Sequence, residues 1–139
     1  MGTIKFVRPE EASWIDRSKF GDAAGQIIPK TNKSKVHLEG SDTEPHLFEP
    51  GFAPNTGAEP HAHGVDEVFH IIEGELHFGR QVYPVGSSIY IPAYTLYSFT
   101  AGDEGCRFLN FRARRDSSTY SKEELVEYLR AERGAVVDG

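Results

Sequence analysis

At 139 residues with a formal net charge of −6, the chain has the length of one domain, enough to bury about two-thirds of the surface its unfolded form would expose. An acidic balance with scattered Lys and Arg excludes the basic stripe that nucleic acid requires, and no apolar run reaches the length of a membrane span or a signal-peptide core. The single cysteine, Cys106, cannot form an internal disulfide, which fits a soluble cytoplasmic protein.

The first thirty residues, with Trp14, Ile15 and Phe20, read as an irregular arm ending in a short strand at 26–28. A polar turn is expected at 30–35 (KTNKSK) and strands at 36–38 and 46–48, on either side of the turn cluster Gly40, Ser41 and Asp42. His37 and His46 read as strand or surface histidines outside any site. Residues 49–59 (EPGFAPNTGAE) read as a loop, because Pro and Gly keep interrupting regular structure.

Residues 67–72 form a strand with Phe69 and Ile71 on one face and Val68 and Ile72 on the other. Such a strand needs cover on both sides, so His70 is a packed or interface histidine. Gly79-Arg80 is a two-residue hairpin turn into 81–84, and Gly86 leads into a strand at 89–92. Two further strands, 96–100 and 107–113, are separated by the turn AGDEG at 101–105. Arg107, Arg112, Arg114 and Arg115 form the one basic cluster, read as a solvated face or as partners of local acids. Ser121 and Glu124 make a capping box that opens a helix to about residue 133, with Leu125, Tyr128 and Leu129 as its apolar stripe. Glycines recurring between β-branched and aromatic runs mark an all-β barrel or sandwich.

The stretch with the most chemistry is residues 60–74, PHAHGVDEVFHIIEG. A His-x-His pair on a strand puts His61 and His63 on one face, about 6–7 Å apart. Glu67 has the same parity if the strand keeps register past Gly64. Two neutral imidazoles and a carboxylate make a three-point grip for a first-row divalent metal, with positions left open for substrate. Tyr97 and Phe99 share parity on a later strand and can face the same cavity.

These residues resemble the first motif of the cupin superfamily: His-x-His, three residues, Glu, six residues, Gly, filled by His61, His63, Glu67 and Gly74. Asn55 stands where a Gly usually precedes that motif. The second motif runs Gly, five residues, Pro, one residue, Gly, two residues, His. Here Gly86 and Pro92 match it, whereas Tyr94 replaces the Gly and Tyr97 replaces the metal-ligand His. The resemblance covers roughly residues 45 to 113 and implies a jelly-roll type double-stranded β-helix. On that basis residues 1–139 form a single cupin domain, with a barrel core at about 36–113, the arm at 1–30 and the helix at about 121–133.

The resemblance also implies one divalent metal ion per chain on His61, His63 and Glu67, with Fe the first choice and Zn, Mn, Ni or Cu as alternatives. Phe69 and Phe99 would line the substrate pocket. Three roles stay open for Tyr97: a phenolate ligand, a proton donor or acceptor standing off the metal, or an apolar filler. The expected function is a metal-dependent enzyme acting on a small organic molecule, with oxygenase chemistry foremost. An isomerase, cyclase or lyase with Tyr97 as acid or base comes next, and then a non-catalytic binding or sensing module. The two-sided strand, the arm and the helix together offer enough apolar surface to expect a homodimer.

Overall fold

A computed structural model of the chain describes residues 2–16 and 33–138; the strand expected at 26–28 lies outside them. The strands are β1 (Ser13–Asp16), β2 (Lys33–Leu38), β3 (His46–Phe52), β4 (Gly57–His61), β5 (Glu67–Phe78), β6 (Gln81–Pro84), β7 (Ser88–Ile91) and β8 (Tyr97–Arg112). One helix, α1 (Lys122–Asp138), follows them. Every strand pairing is antiparallel. The order is β1-β2-β3-β8-β5-β6, with β4 also on β8 and β7 also on β5. Among the described residues no helix is long and apolar enough to cross a membrane.

The two long strands turn this sheet into an all-β barrel. β8 carries β4 on its first half and β3 on its second, while β5 pairs β7 first and β6 later. The two also pair with each other along most of their length. Each therefore has neighbours on both sides at both ends and passes from one layer to the other. The bend comes where Gly74 faces Cys106 and the register shifts. Gly74 has φ +73°, and a Cβ there would stand 2.1 Å from the carbonyl oxygen of Gly105, itself at φ +82°. The glycine of the first motif is thus a steric condition for the crossing of β5 over β8.

Phe52, Phe69, Phe99 and Phe108 fill the interior together with Ile71 and Leu76. Phe69 stacks on Phe108 with ring centroids 4.3 Å apart, and Phe52 meets Phe99 edge-on at 5.0 Å, the offset and T-shaped geometries that ring quadrupoles favour.

Several elements differ from the sequence reading. The arm is not wholly irregular, since β1 pairs with β2 and sets Trp14 opposite Lys35. The second half of the expected polar turn, from Lys33, belongs to β2. β3 does not stop at Phe48 but continues through Pro50 to Phe52. Its ladder to β8 skips Glu49 and Pro50, so the proline's missing N–H costs no bond on that side. The two strands read at 96–100 and 107–113 are one, because 101–105 form an irregular passage within β8 and not a turn. The hairpin at Gly79-Arg80 and the capping box are as expected. Ser121 Oγ accepts from the Glu124 N–H at 3.2 Å, and Glu124 Oε1 accepts from the Ser121 N–H at 3.3 Å. Leu125 is buried, while Leu129, expected in the same stripe, is exposed.

Candidate functional site

The His-x-His pair sits between two clamps. His61 ends β4 opposite Tyr97 of β8. Ala62 then exchanges two backbone hydrogen bonds with Tyr120, at 2.9 and 2.8 Å, just before α1. Glu67 comes four residues after His63, as the first residue of β5. The expectation that all three project from one strand face is therefore corrected: His61 ends β4, Glu67 begins β5, and His63 lies in the connection at 62–66. They still converge on the barrel interior. All three are buried, and with Tyr97, Phe69 and Phe99 they line one cavity of about 50 Å³. The Tyr97 ring points inward, with its centroid 4.5 Å from that of His61 and 6.2 Å from that of His63.

Hydrogen bonds fix the tautomers. His61 Nδ1 lies 2.7 Å from the Glu59 carbonyl oxygen and His63 Nδ1 lies 2.8 Å from that of Ser118. A carbonyl only accepts, so each Nδ1 carries the hydrogen and each Nε2 the lone pair. Burial holds the His63 pKa down at about 4, against the pull of the Glu67 charge, so the ring is neutral at pH 7. Burial pushes the Glu67 pKa up, but the Arg112 charge, His63 and the donors on its carboxylate outweigh it and leave it below the usual value. The site therefore sets the neutral His63 imidazole beside an ionised carboxylate, with His63 Nε2 3.8 Å from Glu67 Oε1.

Two residues that the sequence reading did not place in the site make the Glu67 charge tolerable. Arg112 donates from Nε and Nη2 to Glu67 Oε2 at 3.1 and 2.9 Å, and Asn110 Nδ2 donates to the same oxygen at 2.9 Å. The Tyr97 hydroxyl donates to the other oxygen, Oε1, at 2.9 Å. Arg112 also donates to the Asp116 carbonyl at 2.8 Å. Reading Arg112 as part of a solvated basic cluster is corrected: it is buried inside the site. The other arginines do pair with acids, Arg107 with Glu49 and Glu73 and Arg114 with Asp116. Among the described residues no three His, Cys, Asp or Glu side chains already form a chelate; Oε2 of Glu67 is engaged by Arg112 and Asn110, and Oε1 by Tyr97.

The remaining histidines stay out of the site. His70 is exposed and bonds Ser88 Oγ at 2.9 Å, and His37 pairs with Glu49 at 3.2 Å. His46 stacks on Phe48 at 4.5 Å.

The two departures from the motif glycines have a shared conformation. Asn55 at φ +60° and Tyr94 at φ +58° are the non-glycine residues with positive φ among those described. Both positions therefore need the left-handed backbone that glycine adopts without strain. Asn tolerates it, whereas Tyr94 is offset by contacts. Its ring stacks on Tyr128 of α1 at 4.4 Å and lies 5.9 Å from Tyr120, while its N–H donates to the His63 carbonyl at 2.7 Å.

Solved structures share this fold. The polyketide cyclase RemF from Streptomyces resistomycificus superposes with a TM-score of 0.67 at 21% identity, covering 92% of this chain and 94% of that one. KdgF from Halomonas sp. gives 0.64 at 17%, covering 82% and 97%. An RmlC-like cupin from Shewanella frigidimarina gives 0.61 at 18%, covering 79% and 90%. The chain has the cupin fold. No protein-family model and no curated protein sequence matches it. At these identities the likeness extends to the cupin barrel and not to a reaction.

Proposed function

We propose that this cupin is an enzyme that moves a proton on a small carbonyl compound, as an isomerase, cyclase or lyase, with one divalent metal ion held by His61, His63 and Glu67. The observation that carries the reading is the hydrogen bond from the Tyr97 phenol to Glu67 Oε1 inside an aromatic-walled cavity. The donor set suits a metal ion. Both imidazoles keep Nδ1 on a backbone carbonyl, which leaves Nε2 as the ligating atom. His63 Nε2 and Glu67 Oε1 are 3.8 Å apart, within the ~3–4 Å that separates two ligands each about 2.1 Å from one ion. Arg112 and Asn110 occupy Oε2, which directs Oε1 toward the imidazoles.

When bound, a divalent ion would polarise the substrate carbonyl as a Lewis acid. The chain's own residues supply the rest. Glu67, kept ionised by Arg112, holds the phenol in place. Rotation of the Tyr97 O–H about its C–O bond redirects that proton to a substrate oxygen without moving the ring, and the phenolate left behind takes up the proton released from the adjacent carbon, so Tyr97 ends as it began. Phe69 and Phe99 keep water out while the substrate is bound, and the phenol equilibrates with solvent between turnovers. Oxygenase chemistry is the second reading, favoured by the two-imidazole, one-carboxylate set, which leaves room for substrate and dioxygen together.

One set of measurements separates these readings. Metal content is determined after purification without added metal, deuterium uptake from D2O into hydroxyacetone is followed by NMR, and dioxygen uptake is followed by electrode. The expected result is one metal per chain, absent from the double variant His61→Ala, His63→Ala. Deuterium exchange should be slower in Tyr97→Phe by ~10²–10⁴-fold, with the metal retained. Exchange equal in the two proteins would overturn the role of Tyr97. Dioxygen consumed with loss of substrate would select the oxygenase, and a metal-free, inactive protein would leave a binding module.

A further inference from the structure

Asn110 has a feature that its support of Glu67 does not use. Its Nδ2 donates to Glu67 Oε2, which fixes the orientation of the amide, since the ionised carboxylate only accepts. The other end of the amide, Oδ1, is buried and has no hydrogen-bond partner. The residue is 4% exposed and lines the same cavity as His61, His63, Glu67 and Tyr97. Its neighbours across the strands are Phe48 on β3 and Phe69 on β5, so its surroundings there are hydrocarbon. A buried carbonyl oxygen among aromatic rings is costly to leave unmatched, and native folds seldom do so without a reason.

We infer that Asn110 Oδ1 is the acceptor that reads a hydroxyl or N–H group on the small molecule this cavity takes. The inference rests on the reading of the cavity as a substrate site, but not on the metal or on turnover. The donors and acceptors divide in a way that defines the ligand class. Glu67 is already saturated on Oε2, and Arg112 is spent on Glu67 and the Asp116 carbonyl. Among the described residues the cavity thus offers no uncommitted cationic side chain to a carboxylate or phosphate in the metal-free protein, and Asn110 repels such groups. The cavity favours a neutral compound with a donor at one end and a carbonyl at the other. Its volume of about 50 Å³ is roughly the room of three to five waters, so the part of the ligand that enters is a few non-hydrogen atoms. A short α-hydroxycarbonyl or α-hydroxyamide fits that description.

The test compares hydroxyacetone with acetone and 1-hydroxy-2-butanone with 2-butanone, so that the second member of each pair has no donor. Each pair differs by the hydroxyl group. Binding is followed by NMR titration of the metal-free and the metal-loaded protein. The expected result is that the hydroxyl compound of each pair binds about tenfold or more tightly in the metal-free protein. In Asn110→Leu the preference should disappear. Arg112 still donates twice to Glu67 in that variant, and its fold is checked by circular dichroism. Equal binding within the pairs, or no binding of either member, would overturn the inference from the native protein alone, whether or not the variant folds. A preference that survives in Asn110→Leu would assign it to another group. If the native preference holds while the protein neither exchanges deuterium nor carries metal, the acceptor site at Asn110 stands and only the proposed reaction fails.

Discussion

Removing Arg112 should change both the stability of the protein and the direction of its pH dependence. The guanidinium gives Glu67 two of the three N–H donors on Oε2, and Glu67 is 1% exposed. Taking away one partner of such a pair strands a buried charge, at about 3–5 kcal/mol. For a chain of this length that lowers the melting temperature by roughly 10–15 °C. The pH dependence follows from what remains. In the native protein the Glu67 pKa is depressed, so its contribution is present above the unfolded value and lost as pH falls through the folded one. Without Arg112, burial dominates and raises the Glu67 pKa above its unfolded value. The stability linked to Glu67 is then greatest at low pH and is lost as pH rises through the raised value. Urea unfolding of Arg112→Ala at about pH 5 and about pH 8, with chelator present, measures both effects. Relative to the native protein, the variant should recover stability at the lower pH. Arg112→Met combined with Glu67→Leu should restore most of the loss at both pH values, because the buried charge is gone. A single variant within 1 kcal/mol of the native protein, or one with an unchanged pH slope, would refute the claim that this ion pair governs the site.

Three other outcomes are expected. Burial, together with Arg112 and Arg115, holds the His46 pKa down at about 4. The unfolded chain therefore takes up this proton first, and stability should fall as pH drops from about 6.5 to about 4. His46→Phe should reduce the slope of that part of a denaturation-against-pH curve, leaving the share that His63 contributes over the same window. Tyr94→Gly should be more stable than Tyr94→Ala by about 1–2 kcal/mol in urea unfolding, because both lose the stack on Tyr128 but only glycine relieves φ +58°. Val68 lies beside Tyr90 on β7 and Phe111 on β8, and all three are exposed. A homodimer through this patch predicts a dimer mass by light scattering that shifts toward monomer in Phe111→Lys.

How far the site could be read from the chain depends on where strand parity can be followed. His61, His63, Glu67 and Gly74 were legible because their spacing is local, and Tyr97 and Phe99 because they lie two positions apart on one strand. Arg112 and Asn110 were not, although they lie on that same strand. Along β8 the inward residues are Phe99 and Ala101 before the irregular passage, and Cys106, Phe108, Asn110 and Arg112 after it. The inward set changes from odd to even numbers. That change arises between Ala101 and Cys106, where the pairing to β5 shifts register and Gly105 takes up a positive φ. An alternation carried forward from Tyr97 would have pointed Asn110 and Arg112 at solvent and brought Phe111 inside. Phe111 is 44% exposed. The bulge is itself a consequence of two glycines from distant segments meeting backbone to backbone, Gly74 against Gly105, a contact that no local pattern encodes. The first motif was therefore readable as a set of candidate ligands, while the charge that holds Glu67 ionised became visible only when the crossing of β5 and β8 fixed which side of β8 faces the cavity.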